Sequence, residues 1–110
     1  MPYDVDLTDR LRAMLSDQAG VVEKRMFGGV AFLVDGHMAV GASSQGGLML
    51  RVDPAETEAL LAEPGAEPFV MRGKPVTGWL RIDLDGSVED DQLRSWVDRG
   101  LAFVRSLPPK

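Results

Sequence analysis

His37 is the only histidine in the chain, so metal or acid–base chemistry would have to start there. A metal site needs at least two more ligands converging on it, and Asp35, on an adjacent turn, is the sole nearby candidate. The expectation is an exposed hairpin residue and no metal. The same histidine would have to activate Ser43 or Ser44 in a serine triad. The surrounding Gly41-Ala42-Ser43-Ser44-Gln45 lacks the second glycine of a nucleophile elbow. Beside Gly46-Gly47 those hydroxyls are better suited to turn backbone groups. Gly73-Lys74 runs into Pro75, where a phosphate loop needs Ser or Thr. Gly28-Gly29 leads into a strand and not a helix, which excludes a dinucleotide fingerprint. Glu89-Asp90-Asp91 reads as the solvated first turn of a helix, because a carboxylate acid/base pair needs burial to separate its two pKa values. The chain has no cysteine, which removes disulfides, thiolate metal sites and thiol catalysis. No catalytic residue and no cofactor are expected, and the chain is read as a non-enzyme.

The basic residues form the remaining constellation. Lys24, Arg25, Arg51, Arg72, Lys74 and Arg81 fall in or beside apolar, β-branched runs. Charges on strands are commonly solvated face or edge residues. The alternative is convergence, and one such site would join Arg25, Arg72 and Lys74 around the Gly28-Gly29 bend as an anion or small-ligand site.

The elements that must position these residues follow from spacing. Leu7, Leu11, Met14, Leu15 and Ala19 lie at helical intervals, with Asp6 or Thr8 as N-cap and Gly20 as a stop. Residues 30–34 and 38–40 are two short strands joined by Asp35-Gly36, a two-residue hairpin turn. Residues 48–52 make a third strand. Asp53-Pro54-Ala55-Glu56 carries the residues of a capping box and opens a helix that Pro64-Gly65 ends. Residues 69–71 and 76–83 are strands four and five, around a turn at Arg72-Gly73-Lys74-Pro75. Ser87 caps a last helix with the stripe Leu93, Trp96, Val97, Leu101 and Val104. Its first turn carries Glu89, Asp90 and Asp91, favourable at the positive helix end.

Helix, three strands, helix, two strands, helix, with short connections and no βαβ unit, implies an α+β fold. The predicted arrangement is a two-layer sandwich, α-β(3)-α-β(2)-α, on an antiparallel five-stranded sheet. Strand alternation then sorts the faces. If Val30, Phe32, Val34, Leu48, Leu50, Val52, Leu80 and Ile82 face the helices, then Ala31, Leu33, Met49, Arg51, Trp79 and Arg81 face away, where two layers leave no cover. Tryptophan and arginine beside exposed apolar residues are the types enriched at binding hot spots.

Composition sets the bounds. The 110 residues make one domain, 1–110, and 45% hydrophobic content supports a core. A net charge of −5 argues against broad electrostatic binding to nucleic acid or anionic membrane. The acidic N-terminus is unlike a secretory signal, and no apolar run approaches the ~20 residues of a membrane span. A cytoplasmic protein is expected.

Residues 25–41 read Arg-Met-Phe-Gly-Gly-Val-Ala-Phe-Leu-Val-Asp-Gly-His-Met-Ala-Val-Gly. Met-Phe-Gly-Gly, an apolar strand and Asp-Gly resemble the signature of the N-terminal domain of the TfoX/Sxy family, known as competence regulators. Residues 48–52, Glu67-Pro68-Phe69, Arg72-Gly73-Lys74-Pro75-Val76 and the ending 101–110 are similar to further segments of stand-alone members. The resemblance implies a secretion-chaperone-like arrangement of the same two layers. It also implies a regulatory or protein-interaction module, acting through a protein partner or as a homodimer. Full-length regulators of this type carry a second domain, the part linked to nucleic acid, and this sequence stops short of one, so specific DNA binding is not expected. Binding is assigned to Arg25, Phe27, Gly28, Gly29, Leu33, Met49, Arg51, Arg72, Lys74, Trp79 and Arg81.

Overall fold

The computed structural model describes residues 4–26, 29–43, 46–85 and 87–108. Its first element, helix α1 (Val5–Leu15), turns Leu7, Leu11 and Leu15 inward, as their four-residue spacing requires. The N-cap lies upstream of both expected positions. The Asp4 carboxylate accepts the Leu7 N–H at 3.0 Å, and the Thr8 hydroxyl donates to the Asp4 carbonyl at 2.8 Å.

Six strands follow among the described residues: β1 (Val21–Met26), β2 (Gly29–Val34), β3 (His37–Ala42), β4 (Leu48–Arg51), β5 (Ala66–Met71) and β6 (Lys74–Ile82). They form one antiparallel sheet in the order β1-β2-β3-β4-β6-β5. Strand β1 was not expected, which corrects the five-stranded sheet to six. Three consecutive charges, Glu23-Lys24-Arg25, erase the apolar alternation that marks a strand. The segment is an edge strand, held by an unbroken register with β2 from Val21↔Val34 to Met26↔Gly29. The β2–β3 turn is as expected, with Asp35 and Gly36 at φ of 52° and 87°. Arg72-Gly73 repeats that geometry between β5 and β6, at 54° and 79°.

After β4 the chain does not enter a regular helix. The Asp53 carboxylate accepts from Ala55 N–H at 2.9 Å, one residue short of a capping box, and the first turn tightens into a 3-10 turn at Pro54–Glu56. Only one turn of α-helix follows, α2 (Thr57–Leu60). The last helix, α3 (Asp90–Arg105), begins after the expected cap. Ser87 is instead held by Asp85, which accepts from its N–H at 2.8 Å and its hydroxyl at 2.5 Å.

Helices α1 and α3 share one face of the sheet. Val30, Phe32, Val34, Leu48, Leu50, Val52, Leu80 and Ile82 point at them and are at most 2% exposed, so the counted register is correct on this face. Leu93, Trp96, Val97, Leu101 and Val104 close the core from α3. Gly100 sets how near that helix comes. A Cβ there would lie 2.8 Å from a Leu50 methyl and 3.1 Å from the Ala39 carbonyl.

Ion pairs tie the periphery to this core. Arg12 on α1 grips Glu23 with two bonds of 2.8 Å, clamping the edge strand to the helix layer. That hydrogen bond, then the charges of Arg12 and Arg25, hold the Glu23 carboxyl below its ordinary range, against an opposing push from burial.

Two outcomes follow from these contacts. Gly100→Val should destabilise the protein by about 1–3 kcal/mol through overpacking, read as a lower Tm. For Glu23, a lowered native pKa means stability that is complete above its unfolded value of about 4.3 and lost as pH falls through the native value. Glu23→Gln should therefore melt below the parent at pH 7, and the gap should close on acidification to about pH 3. A gap that stays constant would show that the clamp contributes nothing through charge.

Candidate functional site

The helix-free face is where the expected residues gather. Register pairs Gly41 with Met49, Met49 with Arg81, and Arg51 with Trp79. Glu67 lies opposite Arg81, and Phe69 follows two residues along β5 on the same face. The face is less bare than expected. Ala31 and Met49 are 0% and 4% exposed, and only Leu33, Arg51, Trp79 and Arg81 remain half-buried. The reason is side-chain length. The Met49 methyl lies over Gly41, 3.1 Å from where a Cβ would stand, so the long residue fills space left by the short one.

Across this floor runs a row of rings and charge. Phe69 and Trp79 pack with centroids 5.9 Å apart, tilted by 43°. The Arg51 guanidinium lies 6.0 Å from the Trp79 ring and 5.6 Å from that of Phe103, which belongs to α3. Arg51 has no carboxylate within ion-pair distance among the described residues. Arg81 differs, since its Nη1 bonds Glu67 at 2.5 Å. A half-buried cation matched only by aromatic rings retains donors for an incoming acceptor.

Gly78 shapes this row. Between Pro68↔Leu80 and Val70↔Pro75 the β5–β6 register slips, and β6 bulges. At the bulge Gly78 takes φ of +92°, which L side chains rarely adopt. Its N–H donates to the Thr57 hydroxyl at 2.9 Å, and its carbonyl accepts from Val52 N–H at 2.9 Å. The bulge thus fastens β6 to the turn after β4 and fixes Trp79 beside Arg51. A hollow of about 230 Å³ opens next to it, edged by Pro54, Leu61, Pro68, Pro75 and Trp79.

Other expected residues do not join this group. Arg25 lies on β1, whereas Arg72 and Lys74 flank the β5–β6 turn at the opposite edge. Five strand spacings separate those edges, about 24 Å at ~4.8 Å each, so the three do not form one anion site. Gly29 begins β2, paired with Met26. Phe27 and Gly28 lie outside the described residues, as does Ser44. Ser43 belongs to the turn, where its N–H bonds Gly47 and its carbonyl accepts from Gly46, each at 3.0 Å.

His37 is a correction. It is buried, not exposed, because its pairing with Val34 turns it toward the helix layer. There its Nε2 meets the Pro108 carbonyl at 2.6 Å, which anchors the chain after α3. Among the described residues no group of three His, Asp or Glu could hold a metal ion, and no helix is long and apolar enough to cross a membrane.

Comparison with known proteins decides the family. A family model described as the TfoX N-terminal domain matches residues 13–104, most of the chain. The chain belongs to the TfoX N-terminal domain family. Searches of curated proteins and of solved structures return no match. The match spans all six strands and, of α1, only its last three residues.

Sequence reasoning missed Phe69 and Phe103 as members of this row. Phe69 could have been found by carrying the alternation one strand further, from Arg81 to Glu67. Phe103 lies beside the buried stripe of α3 and gives no sequence signal.

Trp79→Ala should cost less stability than the ~3–5 kcal/mol of a core aromatic, because the ring is only half-buried. Thermal unfolding checks this, and a variant that fails to fold would make Trp79 a core residue.

Proposed function

We propose that this TfoX N-terminal domain is a non-enzymatic regulatory module that binds a protein partner through the face centred on Arg51 and Trp79. The observation that carries this reading is Arg51, a half-buried cation stacked on rings and lacking a carboxylate among the described residues. Hot spots are enriched in tryptophan and arginine, and the hollow beside them, walled by prolines and Leu61 with Thr57, Glu58 and Thr77 among its lining, has room for a partner side chain.

The partner is an acidic segment with an apolar anchor. Arg81 and Glu67 offset each other, so Arg51 is the cation of this row without a carboxylate among the described residues, within a chain whose net charge is −5. Complementary charge steers such an encounter and selects against basic surfaces. A homodimer through this same face would set Arg51 near its own copy, so self-association ranks below a separate partner. Family membership supports a regulatory role, which we propose is exercised in the cytoplasm. Nothing in the row supplies a nucleophile and base pair, which favours binding over catalysis.

Affinity capture from the native cytosol, run in parallel with Trp79→Ala and Arg51→Gln, tests the reading. The partner should be lost from both variants while their melting temperatures stay near the parent's. Truncation at a hot spot costs about 2 kcal/mol or more, roughly thirtyfold in Kd. Equal recovery by all three proteins would sink the proposal. Duplex DNA at about 150 mM salt should show only weak, sequence-independent binding, and sub-micromolar, sequence-dependent binding would replace the protein partner with DNA.

A further inference from the structure

A second concavity lies on the helix side, where the C-terminal half of α3 faces the turn that follows β4. It encloses about 520 Å³, within the range of small-molecule sites. Its apolar wall is Val52, Leu60, Ala102 and Phe103, of which Val52 is buried in the core. The polar groups are Asp53, Glu56, Arg99 and Ser106.

Their states differ in an informative way. Arg99 is already matched, since it bonds Glu63 at 3.0 Å and stacks on Trp96 at 4.7 Å. Asp53 and Glu56 have no cationic partner among the described residues. Asp53 uses one carboxylate oxygen on the Ala55 N–H. Ser106 donates its proton to the Phe103 carbonyl at 2.5 Å, which leaves its oxygen as an acceptor. The cleft therefore offers two unmatched carboxylates and a hydroxyl oxygen beside an apolar wall. An ammonium group has three donors and no acceptor, and so suits that set.

We propose that this cleft binds a protonated primary amine carried on a compact apolar body, with the ammonium at Asp53 and Glu56 and the body against Val52, Leu60 and Phe103. An anion of the same shape would meet two uncompensated carboxylates. A neutral analogue would gain the apolar contact alone.

Three indoles of matched shape provide the test: tryptamine, tryptophol and indole-3-acetate, titrated into the full chain by two-dimensional amide NMR. Tryptamine should produce saturable shifts at Glu56, Leu60, Ala102, Phe103 and Ser106. Tryptophol should bind more weakly and indole-3-acetate not measurably. Glu56→Gln, an exposed and fold-neutral change, should weaken tryptamine about fivefold, the upper end for a solvent-accessible ion pair. Asp53→Asn, which keeps an acceptor for the Ala55 N–H, should weaken it further in combination. Equal affinity for all three indoles, no saturable shift, or tryptamine binding unchanged in Glu56→Gln would each overturn the proposal.

Discussion

The close approach of α3 to the sheet at Gly100 is the constraint on which the rest of the structure depends. With no side chain there, the helix backbone comes near Leu50 and the Ala39 carbonyl. That proximity seals Leu50, Val40 and Leu101 from water and fixes the height of the helix layer above β3 and β4. It also determines how far Phe103, three residues on, reaches beyond the core. The ring arrives within 5.6 Å of Arg51, so a side chain from the helix layer contacts a residue assigned by register to the opposite face. A thicker helix–sheet gap would withdraw it. Interiors pack at crystal-like density, which makes such spacing a discrete property and not an adjustable one.

Strand β4 translates that constraint into a two-sided surface. Leu48 and Leu50 anchor it inward at 0% exposure, which forces Met49 and Arg51 outward. Burial of the inward pair stabilises by roughly 2–3 kcal/mol per leucine, far more than an exposed ion pair contributes. The outward arrangement is consequently a by-product of core formation, and the energetics of the site are separable from those of the fold. Met49 completes the floor by covering Gly41, and the Arg51 guanidinium lies beside the Trp79 and Phe103 rings.

Legibility in the sequence followed the strength of the local signal. The Asp35-Gly36 turn, the α3 stripe and the inward residues of β2, β4 and β6 were readable because one face of each is buried and the period is unambiguous. Strand β1 was not, because Glu23-Lys24-Arg25 is solvated on an edge and its pairing is decided by β2. The burial of His37 was hidden for a related reason. It depends on a partner 71 residues away, the Pro108 carbonyl, which no local pattern announces. The spread of Arg25, Arg72 and Lys74 to opposite edges likewise needed the sheet order, which short connections leave open. At the site, Arg51 and Trp79 were found by alternation, whereas the β6 bulge at Gly78 that aligns them was not.

The short segment from Arg51 to Thr57 joins these levels. Arg51 contacts the Trp79 and Phe103 rings, Val52 bonds the Gly78 carbonyl, Asp53 caps the 3-10 turn, and Thr57 accepts the Gly78 N–H. Seven residues of chain thereby connect the outer ring row, the bulge that aligns it and the wall of the helix-side cleft. Phe103 borders both the cleft and Arg51, so the two surfaces share a side chain and are not insulated by the core. Coupling between sites needs a physically continuous element that both can bias, and the Arg51–Phe103 contact is a candidate for one, beside the Arg51–Thr57 segment. Displacing the ring from the cleft side would change the support under Arg51, and with it the acceptor-seeking group on the opposite face.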